Sequence, residues 1–161
     1  MITRDIQKRA DCKLCKMLYL TIMDISKNKV LGKTLLSWNQ EKQDAAIVRL
    51  WKEFNLYQFY DDAMEERCKK LTDKDYKLLV NDFKVDKHFV RTLSHKKFIL
   101  KTFSRFQTYF ESINLKLEQL ERHDDSKLTN FLEIIGYTQR WIWNNKDDIW
   151  KDASKHHHMV N

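Results

Sequence analysis

Apolar side chains recur every three or four residues through most of the chain, the spacing of one face of an α-helix. Ile6, Ala10, Leu14, Leu18, Ile22 and Ile25 set the first such stripe and predict a helix over 4–27. The segment 26–32, ending at Gly32, is expected to close it. Ser37-Trp38-Asn39-Gln40 has the form of a capping box, and Ile47, Leu50, Trp51, Phe54 and Tyr57 carry a second stripe to about Lys70. Thr72-Asp73-Lys74-Asp75 predicts a shorter helix through Phe83. The most regular stretch is 87–122, where Ile99, Phe103, Phe106, Phe110, Ile113, Leu117 and Leu120 alternate steps of four and three. Asn130 is the expected cap of a short helix ended by Gly136, and a last helix starts near Asp147.

Composition sharpens this picture. The 161 residues include no proline and only two glycines, whereas a sheet protein needs turn residues every few positions. The expectation is an all-α fold of about six helices. Hydrophobic residues make up 42% of the chain, enough to build a core and to exclude disorder of the low-hydrophobicity kind. No linker or internal repeat divides the chain. It reads as an N-terminal helical extension (1–85) and a C-terminal helical unit (86–161), or as one continuous domain.

The formal net charge of +7 suits an anionic partner such as nucleic acid or a nucleotide, though a solvated lysine-rich surface accounts for it equally well. No stretch reaches the roughly 20 apolar residues of a membrane span. Met1-Ile2-Thr3-Arg4-Asp5 lacks the apolar core of a secretory signal. Cys12, Cys15 and Cys68 are odd in number, which fits a reducing, intracellular compartment. Cys12 and Cys15 have the spacing of a metal or redox pair, but no second pair accompanies them and they fall on a helical stripe.

The candidate chemistry sits in the last third. Five of the six histidines are His95, His123, His156, His157 and His158, and Asp124 directly follows His123. Imidazole and carboxylate together suit Zn, Mn, Fe or Ni. On one helix, His123 and Asp124 would point about 100° apart. A straight helix over 95–124 would hold His95 about 43 Å from Asp124. A shared site therefore requires the chain to reverse near 104–116, where Ser112-Ile113-Asn114 is the only turn-prone stretch. That geometry ranks His123, Asp124 and His157 ahead of His95 as ligands.

The stretches His95-Lys96-Lys97-Phe98, His123-Asp124-Asp125-Ser126-Lys127-Leu128, Glu133 with Tyr137, and Ala153-x3-His157-x3-Asn161 form an ordered set. Together they resemble an uncharacterised phage and viral protein family whose helical core is similar to HD-type metal-dependent phosphohydrolases. The resemblance covers 95–161 and departs at Ser154, where the family has an aromatic residue. It implies an HD-like helical core, a divalent metal ion, a phosphate-ester or nucleotide substrate, and the cytoplasm of an infected host cell. In that reading His123, Asp124 and His157 hold the ion, with His95 as a fourth ligand. Asp124 or Glu133 takes a proton from water, and Lys127 offsets phosphate charge, helped by His156 or His158.

Two other classes remain open on the sequence. One is a non-catalytic helical module that engages nucleic acid or a protein partner. Lys84, Lys87, Arg91, Lys96, Lys97, Lys101 and Arg105 would supply its charge, interleaved with Phe89, Phe98, Phe103 and Phe106. The other is a protein whose metal site is purely structural.

Overall fold

The computed structural model of the chain describes residues 13–161, and these are all-helical, with no strand among the described residues. The side chains of the Ile6–Ile25 stripe and the Cys12–Cys15 pair lie outside the described residues. The helices are more numerous and shorter than the six expected. Helix α1 spans Lys13–Leu36, α2 Gln40–Glu53, α3 Glu65–Cys68 and α4 Asp73–Lys77, the last continuing through a wider π-helical turn to Asp82. They are followed by α5 (Val85–Arg105), α6 (Gln107–Ser112), α7 (Leu117–Glu121), α8 (Ser126–Thr129), α9 (Phe131–Trp141) and α10 (Asp148–Val160). No described helix is long and apolar enough to cross a membrane.

Helix starts follow the cap chemistry of the sequence. Asn39, Thr72, Asn130 and Asp147 each accept a hydrogen bond at the side chain from a backbone N–H in the first turn that follows. The stops differ from the expectation. The first helix runs through 26–32 to Leu36, and α2 ends at Glu53, where Asn55 turns the chain with a left-handed φ of 53°. Neither glycine ends a helix. A Cβ on Gly32 would lie 2.2 Å from Gln139 Nε2, and one on Gly136 would lie 2.3 Å from the Ala153 Cβ and 3.0 Å from the Ile149 carbonyl oxygen. Both glycines permit close approach of packed elements, which is why they sit inside α1 and α9.

Helix α9 is the spine. Glu133 through Gln139 are all buried, and α9 packs against α1, α2, α5, α8 and α10. The main apolar core gathers Leu35, Leu50 and Leu79 with Phe83, Phe89, Leu128 and Ile134, so residues from both sides of position 85 share it. Trp51 Nε1 donates to the Leu128 carbonyl oxygen at 2.8 Å, and Trp143 Nε1 to that of Phe83 at 2.7 Å. These bonds tie the N-terminal helices to the segment that carries the histidines.

The regular seam of 87–122 is not one rod. Helix α5 stops at Arg105, α6 turns away, and Asn114 takes a left-handed φ of 67°. Helix α7 then packs back along α5. Phe103 stacks on Phe110 with ring centroids 5.8 Å apart inside this hairpin. Of the seam, Phe103 is buried in this hairpin while Phe106, Ile113 and Leu117 stay exposed, and the reversal falls in the stretch that the 43 Å argument required.

Candidate metal centre

Folding α7 back on α5 returns the chain to His95. The turn between α7 and α8 carries His123 and Asp124, and Asp124 has a left-handed φ of 68°. Asp tolerates that conformation better than most side chains because its short polar group bonds locally. The pair is thus in a turn rather than on a helix. The 100° divergence expected for neighbours on a helix does not apply, and both side chains reach one point.

Asp124 is the centre of the cluster, with a relative exposure of 1%. Its two oxygens face different neighbours. Oδ2 lies 3.4 Å from His123 Nε2 and 3.6 Å from His95 Nε2. Oδ1 lies 2.8 Å from Lys127 Nζ and 3.3 Å from His157 Nε2. These are charge contacts: neither buried oxygen has a hydrogen-bond partner of good geometry. Burial works to raise the Asp124 pKa, but the Lys127 ammonium, together with His123 and His157, outweighs it and holds the carboxyl below its usual range.

His95, His123 and Asp124 each present a ligand atom within 4.8 Å of the other two, a group able to hold a metal ion. Ligand bonds of about 2.1 Å arranged tetrahedrally put neighbouring donor atoms about 3.4 Å apart. The two imidazole-to-Oδ2 separations already match that edge. Two of the donors are open to solvent, since the His95 and His123 side chains are 49% and 40% exposed. His95, ranked last by the sequence argument, is a full member of the group.

His157 occupies a different position. Its Nδ1 lies 2.8 Å from Glu133 Oε1, while Nε2 faces the Oδ1 side of Asp124. The other Glu133 oxygen meets His156 Nδ1 at 3.1 Å, and Glu133 itself is fully buried. Asn161 Nδ2 donates to Ser126 Oγ at 2.7 Å and lies 3.1 Å from His157 Nδ1. The serine of H-D-x-S-K and the asparagine of H-x3-N therefore hold one another and the imidazole between them. Lys127 sits 4.7 Å above the Tyr137 ring while it contacts Asp124. Burial first, then the Glu133 charge, pushes the Tyr137 hydroxyl pKa up to about 12.

A cavity of about 220 Å3 opens beside Asp124. His88, Arg91, Thr92 and His95 line it from α5, facing Asp124, Lys127, Tyr137 and Trp141. Arg91 lies 4.1 Å over the Trp141 ring, which Arg140 covers at 4.4 Å. His88 is buried, its Nε2–H donating to the Lys127 carbonyl oxygen at 3.0 Å, while Nδ1 has no partner. The sequence reading overlooked His88, Thr92 and Trp141 as site residues. The signal was present: 88, 91, 92 and 95 are spaced as one face of a helix.

No family model, curated protein or solved structure matches this chain.

Proposed function

We propose that His95, His123 and Asp124 bind a divalent metal ion and that the protein uses it to hydrolyse a phosphate ester. The observation that carries this reading is the buried Asp124 carboxylate. It has no well-directed hydrogen bond, its Oδ2 edge is matched to two imidazoles, and it forms a wall of an open cavity. Lys127 and His157 compensate the buried charge on the Oδ1 side, and a cation beside Oδ2, between the two imidazoles, would compensate it on the other. The donor set of two imidazoles and one carboxylate suits Zn, Mn, Fe or Ni. Three protein ligands with exposed imidazoles leave positions for water and substrate, the pattern of catalytic rather than structural sites.

A divalent ion bound there supplies Lewis acidity and lowers the pKa of water. The protein's own residues do the rest. Lys127 and His157 fix the carboxylate from its Oδ1 side, so Oδ2 is presented in one orientation. Arg91 reaches the same cavity and offsets phosphate charge. Asp124 lines the cavity as an anionic ligand and orients what binds at Oδ2. Glu133 communicates with it only through His157 and acts as a positioning residue. The likeness to HD-type phosphohydrolases in 95–161 supports the same reading.

The test is metal content by mass spectrometry on untagged protein, beside His123→Ala and Asp124→Asn. Asparagine retains the left-handed preference of the turn, so the second variant removes charge without refolding it. Stoichiometric metal in the parent protein and its loss in both variants is the expected result, followed by a phosphatase and nucleotidase screen. Absence of metal from the parent protein after reconstitution would overturn the reading.

A further inference from the structure

The outer face of α5 carries a pattern of which the metal-centre cavity uses only Arg91. Lys87, Arg91, Ser94, Phe98, Lys101 and Arg105 follow one another at steps of 4, 3, 4, 3 and 4. At 100° per residue they fall within an arc of roughly 80°, over a length of roughly 27 Å. All six are exposed, and Phe98 in the middle of the row shows 66% of its surface. The helix contains a single acid, Asp86. Among the described residues, neither the four cations of the row nor the neighbouring Lys97 pairs with any carboxylate. Elsewhere some cations meet an acid, as Lys42, Arg49, Lys52, Lys69 and Lys70 do, and others among the described residues, such as Lys74, Lys77 and Lys155, do not. What sets the row apart is the alignment of its cations on one face of one helix.

A row of unneutralised like charges on one rigid helix is self-repelling and is stabilised by a polyanion. The row holds one large apolar side chain among four cations. That is too little apolar area for insertion into a lipid interface, but enough for one base to stack on. The row also leads into the cavity, because Arg91 belongs to both and His95 lies one turn beyond Arg91. We infer that the exposed face of α5 binds the backbone of a single-stranded nucleic acid and delivers one of its phosphodiesters to the cavity. Only an unpaired strand lets a base reach Phe98 while its phosphates lie along the helix.

The binding half of this inference stands without the metal; the substrate assignment rests on the metal-centre reading. In the reaction, the oxygen of water bonds to phosphorus and one P–O bond to a sugar breaks. The leaving sugar oxygen takes one proton from the water, and the new monoester releases the other to solvent.

The experiment is fluorescence anisotropy of a labelled 12-nucleotide single strand with metal-free protein across a salt series. Four phosphate contacts predict a log–log salt slope of about −3. The double variant Lys101→Glu/Arg105→Glu, remote from the metal ligands, is expected to weaken binding more than ~10-fold and flatten the slope by ~1.5. Phe98→Ala is expected to weaken it by ~10-fold. No binding at 50 mM salt, equal binding by the charge-reversed variant, or binding to anionic vesicles with none to the strand would each overturn the nucleic-acid face. Cleavage is then read on a gel after Mn2+ reconstitution, with metal content measured in parallel. Cleavage lost in a charge-reversed variant that retains its metal supports the substrate class. Strand binding with metal bound but no cleavage overturns it. Strand binding with neither metal nor cleavage overturns the metal centre and leaves the binding face standing.

Discussion

Lys96 Nζ donates to the carbonyl oxygen of His123 at 2.9 Å, across 27 residues of sequence. The same ammonium donates to the Glu121 carbonyl oxygen at 2.7 Å and pairs with the Asp125 carboxylate. His95 and Lys96 are neighbours on α5, so their side chains diverge by about 100°. One reaches Asp124 while the other clasps the backbone of the returning chain. The dipeptide therefore closes the hairpin and supplies a ligand to what the hairpin brings in.

Lys96→Met retains the aliphatic stem and removes the clasp. Charge-assisted hydrogen bonds of this kind contribute about 2 kcal/mol, and loss of a group that orients ligands reduces metal affinity 10–100-fold. Urea unfolding and a metal titration measure the two effects separately. Unchanged metal affinity would show that the hairpin closes without Lys96.

His157 and His123 should behave differently. His123→Ala removes a donor on the Oδ2 side of Asp124 and is expected to abolish metal retention. His157→Gln touches only the Oδ1 side and is expected to retain stoichiometric metal with affinity lowered about 10-fold. Equilibrium dialysis distinguishes them. Complete loss of metal in His157→Gln would make that imidazole a ligand instead.

Burial pushes the His88 pKa down from 6.5 to about 4, against its bond to the Lys127 carbonyl oxygen. The charges that act on it are Lys127 and Arg91, which lower it further, and Asp124, which raises it. Below pH 6.5 the unfolded chain takes up a proton that folded His88 resists. Its contribution to stability is therefore complete above pH 6.5, falls as pH drops, and levels off near pH 4. The change is on the order of 3 kcal/mol. Urea midpoints recorded over that range should slope less in His88→Gln than in the parent protein. Identical slopes would show that His88 titrates freely.

Gly136→Ala introduces a methyl group 2.3 Å from the Ala153 Cβ, at the crossing of α9 and α10. One helix must move, and overpacking of this kind costs about 2 kcal/mol. Since α9 carries Glu133 and α10 carries His157, the melting temperature and the metal affinity should fall together. A fall in melting temperature alone would mean that the Glu133–His157 pair tolerates the shift.

Helix starts were legible because caps are local. Thr72, Asn130 and Asp147 satisfy backbone donors three residues away, whatever the rest of the chain does. At α2 the cap is Asn39 instead of the Ser37 of the capping box, because the Ser37 hydroxyl is turned back to the Thr34 carbonyl oxygen. Helix stops were not. Gly32 and Gly136 look like terminators in sequence, but their neighbours in space, Gln139 and Ala153, require the missing side chain inside a helix. The seam of 87–122 was legible as a periodic apolar stretch, and the need for a reversal near 104–116 followed from helix length. Which of its side chains that reversal buries was not legible: Phe103 is buried, while Phe106, Ile113 and Leu117 stay exposed.

By itself the sequence determined an all-helical chain, most of its cap positions and the pool of histidines and acids available for chemistry, because each depends on residue type and near neighbours. The tertiary structure decided which of them meet. The left-handed turns at Asn114 and Asp124 and the Lys96 clasp convert a separation of about 43 Å along a straight helix into donors within 4.8 Å. His95 enters the site through that hairpin, and the α9–α10 packing places His157 behind Asp124. Contacts between residues distant in sequence are set by how whole helices pack, and no local pattern encodes that.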